Sequence, residues 1–136
     1  MNREEIMQIL PHRDSMLLID EVSLENDTAH GRYLVRGDEW FLKGHFPGEP
    51  IVPGVILCEM LAQSACVLVG GLGGKLPLLT GLNNVRFKTP VRPGDVFESE
   101  CILAKARPPF YFAQGKGYVN GELSLKADFS LAVTGD

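Results

Sequence analysis

The spacing of apolar and polar residues divides the chain into strand-like and helix-like segments. Residues 29–37, AHGRYLVRG, alternate with a period of two, which is typical of a half-buried strand. Residues 54–69 are apolar on nearly every side and are too long for a strand, so they predict a helix in the protein interior. The glycine cluster at 70–74 ends that helix.

The remaining segments predict one more helix and several strands. Asn2 and Glu5 can form a capping box for a short helix that Pro11 ends, and His12 and Arg13 are expected to complement its C-terminal dipole. Strands are predicted at residues 16–25, 29–37, 78–88, 96–106, 110–119 and 122–133. The order favours an α+β fold, in which an antiparallel meander wraps over one long helix. Because one sheet covers one side of a helix, we expect a second subunit to cover another side.

Length and composition indicate an ordinary globular protein. The chain has 136 residues, of which 45% are hydrophobic and 22% charged, so we expect a single domain spanning 1–136. A formal net charge of −4 gives no indication of nucleic-acid binding. Glu59 and Gln63 interrupt the only long apolar run, which argues against a membrane span.

The cysteines and the N-terminus both favour a cytoplasmic location. The three cysteines are odd in number and lack CxxC spacing, which argues against a disulfide framework or a zinc site and fits reduced thiols. The first ten residues carry acidic side chains where a secretion signal would be basic.

Candidate chemistry concentrates in residues 44–63, GHFPGEPIVPGVILCEMLAQ. Glu59 lies about 7.5 Å along the helix from Gly54, and its side chain leans back toward the helix start. Gln63 is one turn further on the same face and can orient it. Burial among apolar neighbours predicts a raised pKa for Glu59, which suits a general acid. The alternative is a buried structural carboxyl.

The start of this helix and the turn before it supply two further groups. No Ser, Thr, Asp or Asn caps the helix, so its first amides face either water or a ligand oxygen. His45 lies in a glycine- and proline-rich turn and is either structural or a base. With Glu59 as acid and the helix amides as oxyanion donors, His45 would complete a site for proton abstraction beside a carbonyl. The chain shows no serine elbow and no metal-ligand set, which argues against a serine nucleophile and a metal. Because the substrate carbonyl would accept the electrons, we expect no cofactor either.

Four segments, ILPHRDSMLLIDEV, FLKGHFPGEPIVPGVILCEMLAQ, NNVRFKTPVRPGD and YVNGELSLKADF, carry a resemblance along nearly the whole chain. In this order they resemble the β-hydroxyacyl-acyl-carrier-protein dehydratases of bacterial type II fatty-acid synthesis, the FabZ type. The resemblance implies a hot-dog fold and a homodimer, usually assembled as a trimer of dimers. It also implies that His45 of one subunit meets Glu59 of the other, and that an amide of Gly54 or Val55 holds the thioester carbonyl. We therefore place Gly54, Val55 and Gln63 in the substrate-binding part of the site.

The implied reaction is dehydration of (3R)-hydroxyacyl-acyl-carrier-protein thioesters to trans-2-enoyl thioesters. The implied partner is an acyl carrier protein that presents the chain on a phosphopantetheine arm. Arg86, Lys88, Arg92 and Arg107 are either a solvated face or a docking patch for that acidic partner. Three other functions remain open: a hot-dog thioesterase, a dehydratase that also isomerises the double bond, and a non-catalytic acyl-binding subunit.

Overall fold

The computed structural model describes residues 1–43, 48–70 and 72–134, so His45 lies outside the described residues. Within these ranges the helices are α1, Arg3–Met7, and α2, Gly54–Val69, with short 3-10 turns at Asp14–Met16 and Trp40–Leu42. The strands are β1 Glu21–Glu25, β2 Thr28–Leu34, β3 Leu76–Phe87, β4 Val96–Arg107, β5 Phe110–Val119 and β6 Glu122–Thr134. In the described part of the chain, no helix has the length and apolarity needed to span a membrane.

The strands form one antiparallel sheet in the order β1-β2-β4-β5-β6-β3. The sheet wraps over α2, which confirms the predicted α+β class. The predicted four-strand meander is wrong in one respect. Strands β4, β5 and β6 are consecutive neighbours, but β3 pairs with β6 and therefore lies at the edge of the sheet. Local patterns predict that β3 is a strand but carry no information about which strand it pairs with.

Helix α2 packs against one face of the sheet. The hydroxyls of Ser64 on α2 and Ser99 on β4 are 2.9 Å apart and share a buried hydrogen bond. The thiol of Cys101 on β4 lies 3.4 Å from the carbonyl oxygen of Leu61, to which it donates. These contacts satisfy buried polar atoms where the helix and sheet meet, and so fix the position of α2 over the sheet.

The chain itself covers nearly all of α2, so a second subunit is not needed for that purpose. Eleven residues of α2 are buried: Ile56, Leu57, Cys58, Met60, Leu61, Ala62, Gln63, Ser64, Ala65, Cys66 and Val67. The sheet covers one side, and the segment 10–19 supplies further cover through buried leucines and contacts to Gln63. At the helix start, Val55 remains 72% exposed. Our reason for expecting a second subunit was therefore wrong.

The segment from Met16 to Ile19 is not the first part of a strand, as its sequence predicts. The backbone of this segment bonds to side chains: Leu18 donates its amide to Gln63, and Leu17 and Ile19 accept from Arg3. Those hydrogen bonds take the place of the backbone hydrogen bonds to a neighbouring strand that a β-strand would need, so β1 begins only at Glu21.

Strand β3 carries several exposed large apolar side chains. This edge strand has twelve residues, and none of them is fully buried. Its large apolar side chains are between 39% and 53% exposed: Leu76, Leu78, Leu79, Leu82 and Phe87. The opposite edge, β1, is short and begins and ends with glutamate. A long, exposed, apolar edge strand favours pairing with another strand, whereas a short edge strand with charged ends disfavours it.

Replacing Gly117 with alanine is expected to destabilise the fold. Gly117 lies on β5 under the ring of Phe97, and an added Cβ would fall inside van der Waals contact with that ring. Phe97 is 1% exposed and belongs to the hydrophobic core, so its ring cannot move aside without disturbing that core. We expect a loss of about 1–3 kcal/mol in the free energy of unfolding, measured by urea denaturation. Gln114→Ala, on the exposed face of β5, is the control; equal midpoints for both variants would contradict the prediction.

Candidate active site

Glu59 lies on α2 beside two polar side chains from different parts of the chain. The side-chain amide of Gln63, one turn later, donates a hydrogen bond of 2.9 Å to Oε2 of Glu59. The imidazole Nε2 of His12 lies 3.4 Å from the same oxygen. The side chain of Glu59 is 26% exposed, so the carboxyl is half-buried but remains accessible. These two contacts hold the carboxyl in place, and its partial exposure leaves it accessible to a ligand.

Gln63 is fully buried and joins Glu59 to the N-terminal segment. Its Oε1 accepts from the amide of Leu18 at 2.8 Å, and its Nε2 donates to the carbonyl oxygen of Met16 at 2.8 Å as well as to Glu59. The amide therefore has three protein partners and is held rigidly. Its assignment as a substrate-binding residue stays a prediction, because the described contacts orient Glu59.

The pKa of Glu59 is lowered, and our prediction of a raised pKa is wrong. Burial does act in the predicted direction and is the largest single influence. The contacts with His12 and Gln63, together with the attraction of the imidazole, stabilise the ionised form and outweigh burial. The sequence shows the apolar neighbours along the helix, but not the polar groups that the fold brings to the carboxyl.

His12 is the residue of this site that sequence reasoning missed. We expected His12 and Arg13 to complement the dipole of the first helix. Arg13 does so, since its guanidinium donates to the carbonyl oxygens of Met7 and Leu10. The ring of His12 instead meets Glu59, 47 positions further along the chain. No local spacing could have predicted this contact.

The start of α2 lies against the edge strand. Pro53 is the N-cap and no side chain caps the helix, as the sequence predicts. The ring of Phe87 on β3 packs so closely over Gly54 that a Cβ there would be 2.7 Å from Cζ. Gly54 and the exposed Val55 therefore present their backbone near β3, beside an aromatic ring. This is a suitable place for an oxyanion, because helix N-terminal amides favour negative charge.

The space beside Glu59 is small. The described residues enclose a cavity of about 20 Å³, and its lining includes His12, Glu59, Cys66 and the β3 residues Pro77 and Leu79. That volume suits about one water molecule and is far below the several hundred Å³ of a pocket for a small-molecule ligand. One wall of this cavity is β3, the edge strand of the sheet.

The cysteines are not candidate nucleophiles. Cys58, Cys66 and Cys101 are free and buried. Burial raises the pKa of all three thiols, and for Cys66 the neighbouring charge of Glu59 adds to the effect. Because the thiolate is the reactive form, these residues act as core side chains. Within the described ranges, no group of three or more His, Cys, Asp or Glu side chains is arranged to hold a metal ion.

The four predicted docking residues are all exposed, but they do not form one patch. Arg86 and Lys88 flank Phe87, near the start of α2, and Arg92 is in the turn that follows. Arg107 pairs with Phe110 at the far tip of the sheet. Phe110 pairs with Ala132, which in turn pairs with Leu78, so this tip lies at the Leu78 end of β3. Leu78 is eight residues from Arg86, which is roughly 26 Å along the strand.

Comparison with known proteins identifies the family of this chain. A family model described as ApeI-like, ApeI dehydratase, matches residues 21–122. The 3-hydroxyacyl-[acyl-carrier-protein] dehydratase FabZ of Chloroflexus aggregans is 41% identical over 136 residues, covering 96% of this chain and 94% of that protein. The protein of the same name from Clostridium beijerinckii is 39% identical over 140 residues, covering 98% and 99%.

A solved structure matches the fold at lower identity. The chain superposes on the dehydratase heterocomplex ApeI:P from Xenorhabdus doucetiae with a TM-score of 0.83 and 21% identity, covering 96% of this chain and 91% of that one. At that identity the likeness shows the shared fold.

Proposed function

The chain belongs to the family of 3-hydroxyacyl-acyl-carrier-protein dehydratases, which have the hot-dog fold, and from this premise we propose that it removes water from (3R)-hydroxyacyl thioesters to give trans-2-enoyl thioesters. The observation that carries the proposal is the position of Glu59. Its carboxyl is held by Gln63 and His12 next to the edge strand β3, on a helix whose N-terminus has no side-chain cap.

In the proposed reaction, the chain's own residues supply the acid, the base and the oxyanion donor. The amide of Gly54 or Val55 binds the thioester carbonyl oxygen, which acidifies the neighbouring carbon. His45 removes the proton from that carbon. Glu59 gives a proton to the departing β-hydroxyl, and water leaves. The thioester carbonyl accommodates the electrons, so the reaction requires neither metal nor organic cofactor.

Glu59 must carry a proton at the moment of reaction, although contacts within the chain lower its pKa. An acyl chain bound beside it would displace water from the half-exposed carboxyl. Further desolvation disfavours the ionised form and moves the pKa upward. Binding of substrate would therefore prepare Glu59 to act as an acid, while the free protein keeps it ionised and hydrogen-bonded.

A homodimer would complete the site. The cavity beside Glu59 is too small for an acyl chain, and its wall is the apolar edge strand β3. Pairing of β3 with the same strand of a second copy would satisfy the open backbone edge and bury its leucines. A slot for the acyl chain, with His45 of the second copy opposite Glu59, would then form along the new interface. A trimer of such dimers, residues 1–136 as one domain and a cytoplasmic location stay predictions.

Charging the edge strand is expected to separate the subunits and abolish turnover. Leu82, in the middle of β3, is 40% exposed, and Leu82→Lys would place a charge inside the proposed interface. Ile102→Lys, on the interior strand β4, is the matched control because Ile102 is also 40% exposed. Light scattering gives the mass and an absorbance assay the turnover. A Leu82→Lys protein that stays dimeric would contradict the interface, and a monomeric one with full activity would contradict its role in completing the site.

Acyl-carrier docking is expected to depend on salt. We assign the docking role first to Arg86 and Lys88, because they flank Phe87 at the start of α2. Raising the salt concentration should raise KM for a carrier-linked substrate roughly several-fold, since salt screens exposed charges, and leave KM for a short pantetheine thioester unchanged. Arg86→Glu should mimic high salt, while Arg107→Glu at the far tip should not. A salt-independent KM would contradict this docking site.

The assay for the proposed function follows the absorbance of the conjugated enoyl thioester with carrier-linked 3-hydroxyacyl substrates of several lengths. Free thiol among the products would instead identify a thioesterase. A cis-3-enoyl product would identify an enzyme that also isomerises. Binding of the acyl chain without loss of water would identify a non-catalytic subunit.

A further inference from the structure

Both described contacts of the Glu59 carboxyl are made to one oxygen. His12 Nε2 and Gln63 Nε2 lie 3.4 Å and 2.9 Å from Oε2. A carboxyl held by one oxygen from two directions has little freedom to rotate about its last bond. Oε1 is then the oxygen turned away from the anchors and available to a bound substrate.

The described polar contact of the His12 ring is the one that its Nε2 makes with Glu59. Its side chain is 18% exposed, and Nδ1 is buried with no hydrogen-bond partner among the described residues. Buried polar atoms in native proteins nearly always have partners, and an exception calls for an explanation. The ring orientation that brings Nε2 to Glu59 also leaves Nδ1 without a partner among the described residues. The cost at Nδ1 is explained if the position of Nε2 matters for function.

We propose that His12 is a positioning residue for the dehydration reaction: it fixes Oε2 of Glu59 together with Gln63, so that Oε1 faces the leaving hydroxyl. The inference rests on the proposed function, since it assigns a role within that site. Gln63 anchors the carboxyl from the same helix, and His12 anchors it from the segment between α1 and β1. Two anchors from separate elements fix the direction of the carboxyl more firmly than either one does.

The surroundings of His12 show which groups can influence it. On its own segment the neighbouring charge is Arg13, whose guanidinium is occupied by backbone carbonyls. From α2 the titratable groups facing the small cavity are Glu59 and Cys66, whose thiol is protonated at neutral pH because burial raises its pKa. Strands β3 and β6 contribute only apolar side chains to the cavity: Pro77, Leu79 and Leu131. Glu59 is therefore the ionisable group with which His12 interacts most directly.

Three substitutions in the full chain separate positioning from simple space filling. His12→Gln keeps an amide donor near the position of Nε2, where it can reach Oε2. His12→Asn places its amide near the position of Nδ1, too short to reach Glu59. His12→Leu removes all polar atoms. Melting temperature and oligomeric mass are measured for each variant, followed by kcat and KM on a carrier-linked 3-hydroxyacyl substrate across a range of pH.

The expected result is a graded loss of kcat with little change in KM. His12→Leu and His12→Asn should lose about 10–100-fold in kcat at their own pH optima, because the reacting oxygen is no longer held in place. His12→Gln should recover much of that loss. The pH profile of kcat provides a second test, because the direction of its shift can be predicted. The contact lowers the pKa of Glu59, so its loss raises that pKa, and the alkaline fall in kcat should move to higher pH in the leucine and asparagine variants.

Two outcomes would overturn the inference. Wild-type kcat and an unshifted pH profile in folded His12→Leu would show that His12 does not position the acid. Equal losses in all three variants, with lower melting temperatures, would show a structural role only. Glu59→Gln is run alongside: if that variant stays active, the proposed acid fails, whereas an inactive Glu59→Gln beside a fully active His12→Leu removes the positioning role alone.

Discussion

Replacing Glu59 with glutamine is expected to abolish dehydration while leaving the fold intact. Glutamine has the same shape, and its carbonyl oxygen can still accept from Gln63, so the buried network survives. It cannot give a proton to the departing hydroxyl. General acid catalysis typically contributes about 10²–10⁴-fold, and we expect kcat to fall by that factor. The measurement is the appearance of the conjugated enoyl thioester, with the melting temperature recorded on the same preparation.

The control for this variant is Glu122→Gln, which makes the same chemical change at an exposed position where β6 begins. Its turnover and melting temperature should match those of the wild type. Nearly full turnover by Glu59→Gln would reject the assignment of the acid. A collapsed melting temperature would show instead that the carboxylate charge itself is needed for folding.

Mixing two inactive variants is expected to restore activity. If His45 and Glu59 meet across a dimer interface, a dimer of one His45→Ala chain and one Glu59→Gln chain contains one complete site. Random assembly of equal amounts makes half of the dimers mixed, so about a quarter of wild-type activity should return. The two proteins are purified separately, unfolded, refolded together and then assayed.

The matched control mixes Glu59→Gln with the double variant that carries both changes. Neither site of that mixed dimer has both groups, so it should stay inactive. If the mass of the refolded protein shows mixed dimers but the first mixture recovers no activity, both groups come from one chain. The same result would remove β3 pairing as the way in which the site is completed.

Much of the secondary structure could be predicted from the sequence. The α2 bounds, Gly54–Val69, agree with the apolar run between Pro53 and the glycine cluster. The capping box of Asn2 and Glu5 is present. Asn120 and Gly121 both adopt positive φ angles, as an Asn-Gly pair between two predicted strands requires for a two-residue hairpin. These features depend on neighbouring residues in the chain, which is why short patterns are sufficient to predict them.

The pairing of strands and the cover of α2 could not be predicted in the same way. The position of β3 beside β6 brings together residues far apart in sequence. The segment 16–19 has the composition of a strand, but Arg3 and Gln63 take its backbone bonds. A pattern of apolar residues shows that a side is buried, without showing which element buries it.

In the candidate site too, some features follow from the local sequence and others only from the fold. The sequence by itself determined that Glu59 and Gln63 share one face of an uncapped helix, because four residues make about one turn. Only the tertiary structure brought His12 to the same oxygen and placed the apolar edge β3 beside it. The charge of a carboxyl depends on every polar group within a few ångströms, whatever its place in the chain. The pKa of Glu59 is therefore a property of the folded protein, and the helix sequence alone gave the wrong sign.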